Sequence, residues 1–149
     1  GRTMKLSANF SLEEFTASET AERRRLDNSL PPELLMTAQN TAEMMEKIRA
    51  VLGDNPIIIT SGYRSPEVNR AIGSGDSSDH IKAMAVDFKC PAYGTPKAVA
   101  LHLADKIDSL GIGQIIYEHT WVHVSTRRPS KDVNRVLTMN GGNYSVGIN

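Results

Sequence analysis

Apolar residues recur at helical spacing along two stretches of the chain. In the first, which ends at Leu52, the steps between them alternate between four and three residues, the repeat of a helix with one buried face. Two prolines precede this stripe and a glycine follows it, so we predict a helix over residues 31–52. A second stripe lies between Pro96 and Gly111 and predicts another helix; it consists of Val99, Leu103, Ile107 and Leu110.

Short runs that are rich in β-branched residues, or that alternate between apolar and polar, predict strands. They occupy residues 57–60, 85–89, 114–117, 121–125 and 135–139, the last as an edge strand, and we predict an irregular tail beyond them. A short helix is predicted from Ser65 to about Ile72, and a capping box at Ser11 and Glu14 predicts an N-terminal helical arm. This order of elements predicts an α+β fold, with helices packed on one small, mainly antiparallel sheet.

Composition and charge narrow the possible functions. The chain has 149 residues, with 17 basic and 17 acidic side chains and a formal net charge of +0, so it lacks the basic excess of a nucleic-acid binder. Its length suits one domain, predicted over residues 4–149, and residues 1–3 read as a remnant of expression cloning. With no apolar run near 20 residues, as a membrane span needs, and no signal-peptide pattern, we expect a cytoplasmic product without membrane contact.

Cysteine usage restricts any metal site to other ligands. Cys90 is the single cysteine, so the chain can form neither an internal disulfide nor a thiolate-rich zinc site. On the predicted strands, Asp87 and His123 both point away from their apolar neighbours, and His80 follows a polar loop. Together they would make a three-ligand zinc site with the fourth position left for water. The spacing alone also allows a half-buried histidine paired with an aspartate, and a loop histidine in solvent.

A glutamate close to these residues is a candidate general base. Glu118 lies five residues before His123, at the end of the preceding strand, and could take a proton from water. The alternative at this stage is an ordinary exposed glutamate at a hairpin tip.

Three segments carry a family resemblance. The sequence SDHIKAMAVD, residues 78–87, resembles the S-x-H-x-x-G-x-A-x-D signature of the zinc D-Ala-D-Ala carboxypeptidase family. That family includes phage endolysins, vancomycin-resistance dipeptidases and, by fold, the hedgehog signalling domain. WVHVS at residues 121–125 resembles the family's W-x-H strand, and SGYRS at residues 61–65 resembles its S-G-Y/F-R-S turn. QIIYE, residues 114–118, resembles the phage and prophage subgroup, whose glutamate is the presumed base.

The resemblance implies a role for each matching residue. It makes His80, Asp87 and His123 the ligands of one zinc ion, with Glu118 as the general base. It also implies contact with substrate for four side chains, with Arg64 suited to a carboxylate or peptide group: Tyr63, Arg64, Ser78 and Trp121.

The implied activity is hydrolysis of a D-amino-acid-containing amide bond in peptidoglycan stem peptides or cross-links, by water activated at the zinc. The implied protein is a monomeric phage or prophage lysis enzyme with a hedgehog/DD-peptidase-like fold, which reaches the wall through a separately encoded pore. Two alternatives are a non-catalytic, zinc-stabilised module that binds the wall or a partner, and a tail-associated phage protein.

Two positions depart from the family pattern. Ala83 stands where the signature has glycine, and we expect it to fit only if its backbone does not need a positive φ. Thr120 stands where other branches of the family place the base, and a threonine cannot serve as one.

Overall fold

The computed structural model describes residues 4–149, so the predicted cloning remnant at residues 1–3 lies outside the described residues. The helices are α1 (Leu12–Thr16), α2 (Glu19–Arg24), α3 (Leu35–Val51), α4 (Pro66–Ile72) and α5 (Pro96–Ala104). The strands are β1 (Ile58–Ser61), β2 (Ala85–Lys89), β3 (Gln114–Tyr117), β4 (Val122–Ser125), β5 (Val136–Asn140) and β6 (Asn143–Val146). Short 3-10 turns precede α3 and β5, at Pro32–Leu34 and Asp132–Asn134.

The six strands form one sheet in the order β1-β2-β4-β3-β5-β6. Every pairing is antiparallel except that of β3 with β5. The prediction of an α+β fold with a mainly antiparallel sheet is therefore confirmed. Because β4 lies between β2 and β3, residues that are distant along the chain become neighbours at the centre of the sheet.

Alternation along the central strands separates a core face from a polar face. Val86 and Phe88 of β2 and Val122 and Val124 of β4 are fully buried, as the alternation predicts. They share one hydrophobic core with the apolar stripes of two helices, including Met45 and Ile48 of α3 and Val99 and Leu103 of α5. The residues between them on each strand, Asp87 and His123, face the opposite side of the sheet. The core therefore holds the strands in place while the polar face stays available for chemistry.

Helix α5 is shorter than predicted. It ends at Ala104, and residues 105–111 continue as turns instead of extending the helix to Leu110. The amide of Lys106 donates to the carbonyl of Leu103, three residues earlier, where an α-helix would bond four residues earlier. This tighter turn ends the helix. Leu110 is nevertheless buried, so the apolar stripe continues past the point where the helical backbone stops.

The C-terminal tail is not irregular, and the prediction there is wrong. Asn143–Val146 forms strand β6, which pairs with β5, so β6 and not β5 is the edge strand. Gly141 and Gly142 join the two strands, with φ values of +56° and +89°. A two-residue hairpin turn with φ > 0 at both positions favours glycine, because glycine has no Cβ to clash.

The N-terminal arm packs over the sheet. The capping box at Ser11 and Glu14 is present as predicted, and Phe15 of α1 is buried in the core. The Glu46 carboxylate of α3 accepts hydrogen bonds from the hydroxyl of Ser7 and from the backbone and side-chain amides of Asn9. Among the described helices, none is long and apolar enough to cross a membrane.

Candidate metal centre

Strand register brings the predicted metal ligands together. Asp87 and His123 are direct partners across the β2–β4 pairing, and the turn before β2 adds His80. The Nδ1 atom of His123 lies 2.9 Å from Oδ1 of Asp87, and Nε2 of His80 lies 3.4 Å from the same oxygen. One potential ligand atom from each residue lies within 4.8 Å of the other two, so the group could hold a metal ion.

The orientation of His80 is held by a backbone carbonyl. Nδ1 of His80 lies 2.7 Å from the carbonyl oxygen of Gly62. A carbonyl only accepts, so Nδ1 carries the hydrogen and the lone pair of Nε2 is left on the side of Asp87. Such a bond to the second ring nitrogen is the usual support of a metal-binding histidine.

Close backbone packing explains why residue 62 is a glycine. A Cβ atom at this position would collide with the backbone of Phe15 in α1. The amide of Tyr63 donates to the Phe15 carbonyl, which keeps the two segments in contact. The N-terminal arm therefore fixes the carbonyl that orients His80.

Ala83 adopts a positive φ, contrary to the expectation from its side chain. Its φ is +60°, so this position of the signature does need the left-handed conformation that glycine favours. The turn is held from outside, because the Thr41 hydroxyl of α3 donates to the Ala83 carbonyl at 2.7 Å. The Met84 amide also donates to the carbonyl of Asp79. These bonds keep alanine in a conformation that costs about 1–2 kcal/mol for a residue with a side chain.

The donor set fits a zinc ion. Burial alone would raise the pKa of Asp87, but hydrogen bonds and positive charge from His123 and His80, in their protonated forms, hold that pKa well below its ordinary value. The carboxylate is therefore anionic, although its side chain is only 7% exposed. A buried anionic oxygen between two imidazole nitrogens, open to a cleft on one side, matches the three-ligand sites of catalytic zinc.

Arg64 lies beside this group with its guanidinium already engaged. Its Nε donates to the Ser61 hydroxyl at 3.1 Å and one terminal nitrogen donates to the Asn69 side chain at 3.3 Å. The other terminal nitrogen lies 3.5 Å from Oδ2 of Asp87. Arg64 thus lines the cleft and lies beside the carboxylate of a predicted metal ligand at the same time.

Glu118 lines the same cleft at the end of β3. Burial is the main cause that raises the pKa of its carboxyl above the ordinary value, and the negative charge of Asp87 raises it further. The indole N–H of Trp121 favours the charged form of Glu118 and so acts to lower its pKa. The Nε1 atom is nevertheless buried and has no hydrogen-bond partner among the described residues. The indole therefore lies near Glu118 without a formed hydrogen bond. A carboxyl with a raised pKa beside a donor set is suited to moving protons.

The remaining predicted substrate contacts divide between two cavities. Ser78 and Trp121 line the cleft of the metal centre, which has a volume of about 460 Å³. The Ser78 hydroxyl also accepts from the His80 amide. Tyr63 is buried in the hydrophobic core at 3% exposure and lines a neighbouring cavity, which shares Arg64 and Trp121 with the cleft.

Sequence reasoning missed two charged residues of this cleft, Asp79 and Arg127. Asp79 immediately precedes a predicted ligand, and Arg127 follows the W-x-H strand by two residues. Their link spans 48 positions of the chain and needs the pairing of β2 with β4 to become visible. No local pattern in the sequence signals it.

A buried carboxylate between two imidazoles, with a second carboxyl in the same cleft, is the arrangement of a metallohydrolase centre. The family model for peptidase M15 matches residues 8–125, well over half of the chain, and the chain therefore belongs to that family. M15 peptidases are zinc enzymes, which agrees with the donor set formed by the two histidines and Asp87. No curated protein matches the chain.

Proposed function

We propose that this chain is a zinc-dependent peptidoglycan peptidase that hydrolyses a D-amino-acid-containing amide bond, as a D,D-carboxypeptidase or a cross-link endopeptidase. The observation that carries the proposal is the buried group of His80, Asp87 and His123, which opens onto one cleft together with Glu118. Membership of the M15 family supports the same reaction class.

Each residue of the cleft has a proposed part in the reaction. His80, Asp87 and His123 would hold the zinc ion. When bound, zinc polarises a carbonyl and lowers the pKa of water to about 7. Glu118 accepts the proton of the attacking water and returns it to the leaving amine, for which a pKa above the usual glutamate range is suited.

Four side chains position the substrate in this proposal. Arg64 orients the peptide beside Asp87, and Ser78 and Trp121 contact it from the walls of the cleft. Tyr63 contributes from the neighbouring cavity, which shares Arg64 with the cleft.

The biological setting is part of the proposal. Residues 4–149 would act as one catalytic domain of the hedgehog/DD-peptidase type, monomeric, with peptidoglycan stem peptides as its partners and without nucleic-acid or membrane binding. The QIIYE segment, residues 114–118, favours the phage or prophage endolysin branch. The enzyme would then reach the bacterial wall during lysis.

The test is release of D-alanine or of cleaved cross-links from purified peptidoglycan by the zinc-loaded protein. Glu118→Gln should lower kcat/KM by about 10²- to 10⁴-fold, the usual contribution of a general base, while one zinc per chain stays bound. Glu43→Gln, on the exposed face of α3, is the matched control and should keep full activity.

Undiminished release after chelation, or in Glu118→Gln, would contradict the mechanism. A protein that binds one zinc and the wall but releases nothing would be the non-catalytic binding module instead.

A further inference from the structure

A second arginine reaches the cleft of the metal centre from the end of β4. Arg127 lines this cleft, and its side chain is 44% exposed. Its Nε donates to Oδ1 of Asp79 at 2.6 Å. The two terminal nitrogens of Arg127 make no hydrogen bond within residues 4–149. The outer edge of this guanidinium is therefore available to a ligand.

A buried carboxylate fixes the position of Arg127. The side chain of Asp79 is only 4% exposed, and both of its oxygens are used. Oδ1 accepts from Arg127, and Oδ2 accepts from the Ser125 hydroxyl at 2.9 Å. The Ser125 oxygen in turn accepts from the Arg127 amide at 3.1 Å, which closes a ring of three hydrogen bonds.

This ring has a consequence for binding. A flexible arginine loses side-chain entropy when it holds a ligand, and that loss weakens binding. Because Asp79 and Ser125 already restrain Arg127 in the free protein, less entropy is lost when a ligand binds. The guanidinium presents two parallel N–H groups at its outer edge, the geometry that matches a carboxylate.

The two arginines of the cleft are not equivalent. All three nitrogens of Arg64 face oxygens of the protein, at Ser61, Asn69 and Asp87. Arg127 uses only Nε in this way and is the more exposed of the two, at 44% against 13%. The capacity for a new bidentate contact therefore lies with Arg127.

We infer that Arg127, held in place by Asp79, binds a free carboxylate of the substrate. The preferred substrates are then peptides with a free carboxylate beside the scissile amide. This inference rests on the proposed function, because it assigns the substrate to the same cleft. In this scheme Arg127 contacts the substrate, and Asp79 is a positioning residue.

The test compares binding of two ligands to the zinc-loaded protein by calorimetry. The probes are a tripeptide from the D-alanine end of the stem, with the scissile amide replaced by an uncleavable isostere and a free C-terminal carboxylate, and the same molecule with a C-terminal amide. The unmodified protein should bind the acid about 10- to 100-fold more tightly, the range for a charge-assisted bidentate contact. Arg127→Gln should abolish this preference and leave the affinity for the amide unchanged.

Three further variants sharpen the result. Arg127→Lys should keep only part of the preference, because an ammonium group lacks the planar fork. Asp79→Asn should also reduce the preference while Arg127 remains present. Arg128→Gln is the matched control and should keep it in full, because Arg128 pairs with the exposed Asp132 and does not line the cleft. Zinc content and thermal unfolding are measured on every variant.

Two results would overturn the inference: equal affinity of the unmodified protein for both peptides, or a preference that survives in Arg127→Gln. The second would assign the carboxylate to the metal or to Arg64. Binding is measured without turnover, so a protein that prefers the acid but cleaves nothing would contradict the proposed function alone.

Discussion

Two buried aspartates line the same cleft but have different hydrogen-bonding neighbours. Taken as whole residues, backbone included, Asp79 and Asp87 are 6% and 5% exposed, respectively. Asp79 is closed off by a hydroxyl and a guanidinium of the protein, whereas Asp87 faces the nitrogens of His80 and His123. Burial of a carboxylate therefore does not identify a metal site. The distinguishing feature is that two of the neighbours of Asp87 are imidazoles, which can offer lone pairs to the same point.

The largest effect is expected at Asp87, the aspartate that faces the two imidazoles. Asp87→Asn replaces an anionic oxygen ligand with a neutral amide, so zinc affinity should fall by more than about 100-fold, beyond the loss typical of a supporting residue. Titration against a chelator of known affinity measures it. Asp105→Asn makes the same change at an exposed site at the end of α5 and should have no effect. Unchanged zinc affinity in Asp87→Asn would remove Asp87 from the ligand set.

A smaller effect on the same side is expected from the backbone that orients His80. Gly62→Ala puts a methyl group into the Phe15 backbone and displaces the carbonyl that binds His80. We expect a loss of about 1–3 kcal/mol in the free energy of unfolding and about 10-fold in zinc affinity. Urea unfolding and chelator titration measure the two. Gly75→Ala is the control, because a Cβ there has no neighbour within 4 Å among residues 4–149. Equal behaviour of both variants would refute the packing argument.

The matching substitution at Asp79 should lower the stability of the protein and leave its zinc affinity unchanged. Asp79→Asn removes the charge that holds Arg127, and the free energy of unfolding should fall by about 1–2 kcal/mol. Zinc affinity should stay near the level of the unmodified protein, since the carboxylate oxygens of Asp79 bond to Ser125 and Arg127 and not to an imidazole. The same unfolding and titration experiments measure both quantities. A loss of zinc affinity comparable to that of Asp87→Asn would break the comparison between the two aspartates.

The smallest effect concerns Glu46 of α3, a carboxylate that binds the N-terminal arm and does not line the cleft of the metal centre. Burial raises the pKa of Glu46, but hydrogen bonds from Asn9 and Ser7 outweigh it and leave the pKa below its ordinary 4.5. The unfolded chain then binds the proton more tightly than the folded one. The stabilisation is therefore complete well above pH 4.5 and is lost as the pH falls through the folded-state pKa.

Glu46→Gln should accordingly destabilise the protein by about 1 kcal/mol at neutral pH. The difference from the unmodified protein should shrink in acid, as measured by denaturant unfolding across the pH range. Glu43→Gln, on the exposed side of the same helix, should show no such pH-dependent difference. A gap that stays constant with pH would mean that the charge of Glu46 has no part in holding the arm.

The sequence predicts the centre of the sheet better than its periphery. Period-two alternation places Asp87 and His123 on the polar face, and the structure agrees because both neighbours of each residue are buried. The stripe that predicts α5 continues through Leu110 because that residue packs on the core although the helix has ended. Apolar spacing reports burial, not backbone conformation. The final hairpin does carry a local signal, the glycine pair before β6, which is typical of a two-residue turn.

The sequence predicts those parts of the site that depend on individual residues, and it does not predict those that depend on contacts between distant segments. The positive φ of Ala83 depends on the Thr41 hydroxyl, 42 positions earlier in the chain. The bond between Asp79 and Arg127 likewise joins residues that meet only when β2 pairs with β4. Interactions between distant segments leave no pattern in the residues next to them, so the fold is needed to find them.

The family match ends at residue 125, but residues beyond that point also line the cleft. Arg127, together with Met139 of β5 and Tyr144 of β6, forms part of its wall from beyond that point. The donor set and Glu118 all lie before it. The terminal hairpin joins the rest of the sheet through β3 alone, by the parallel pairing with β5. Substitutions at Met139 and Tyr144 should therefore reshape the wall of the cleft and leave the predicted metal ligands in place.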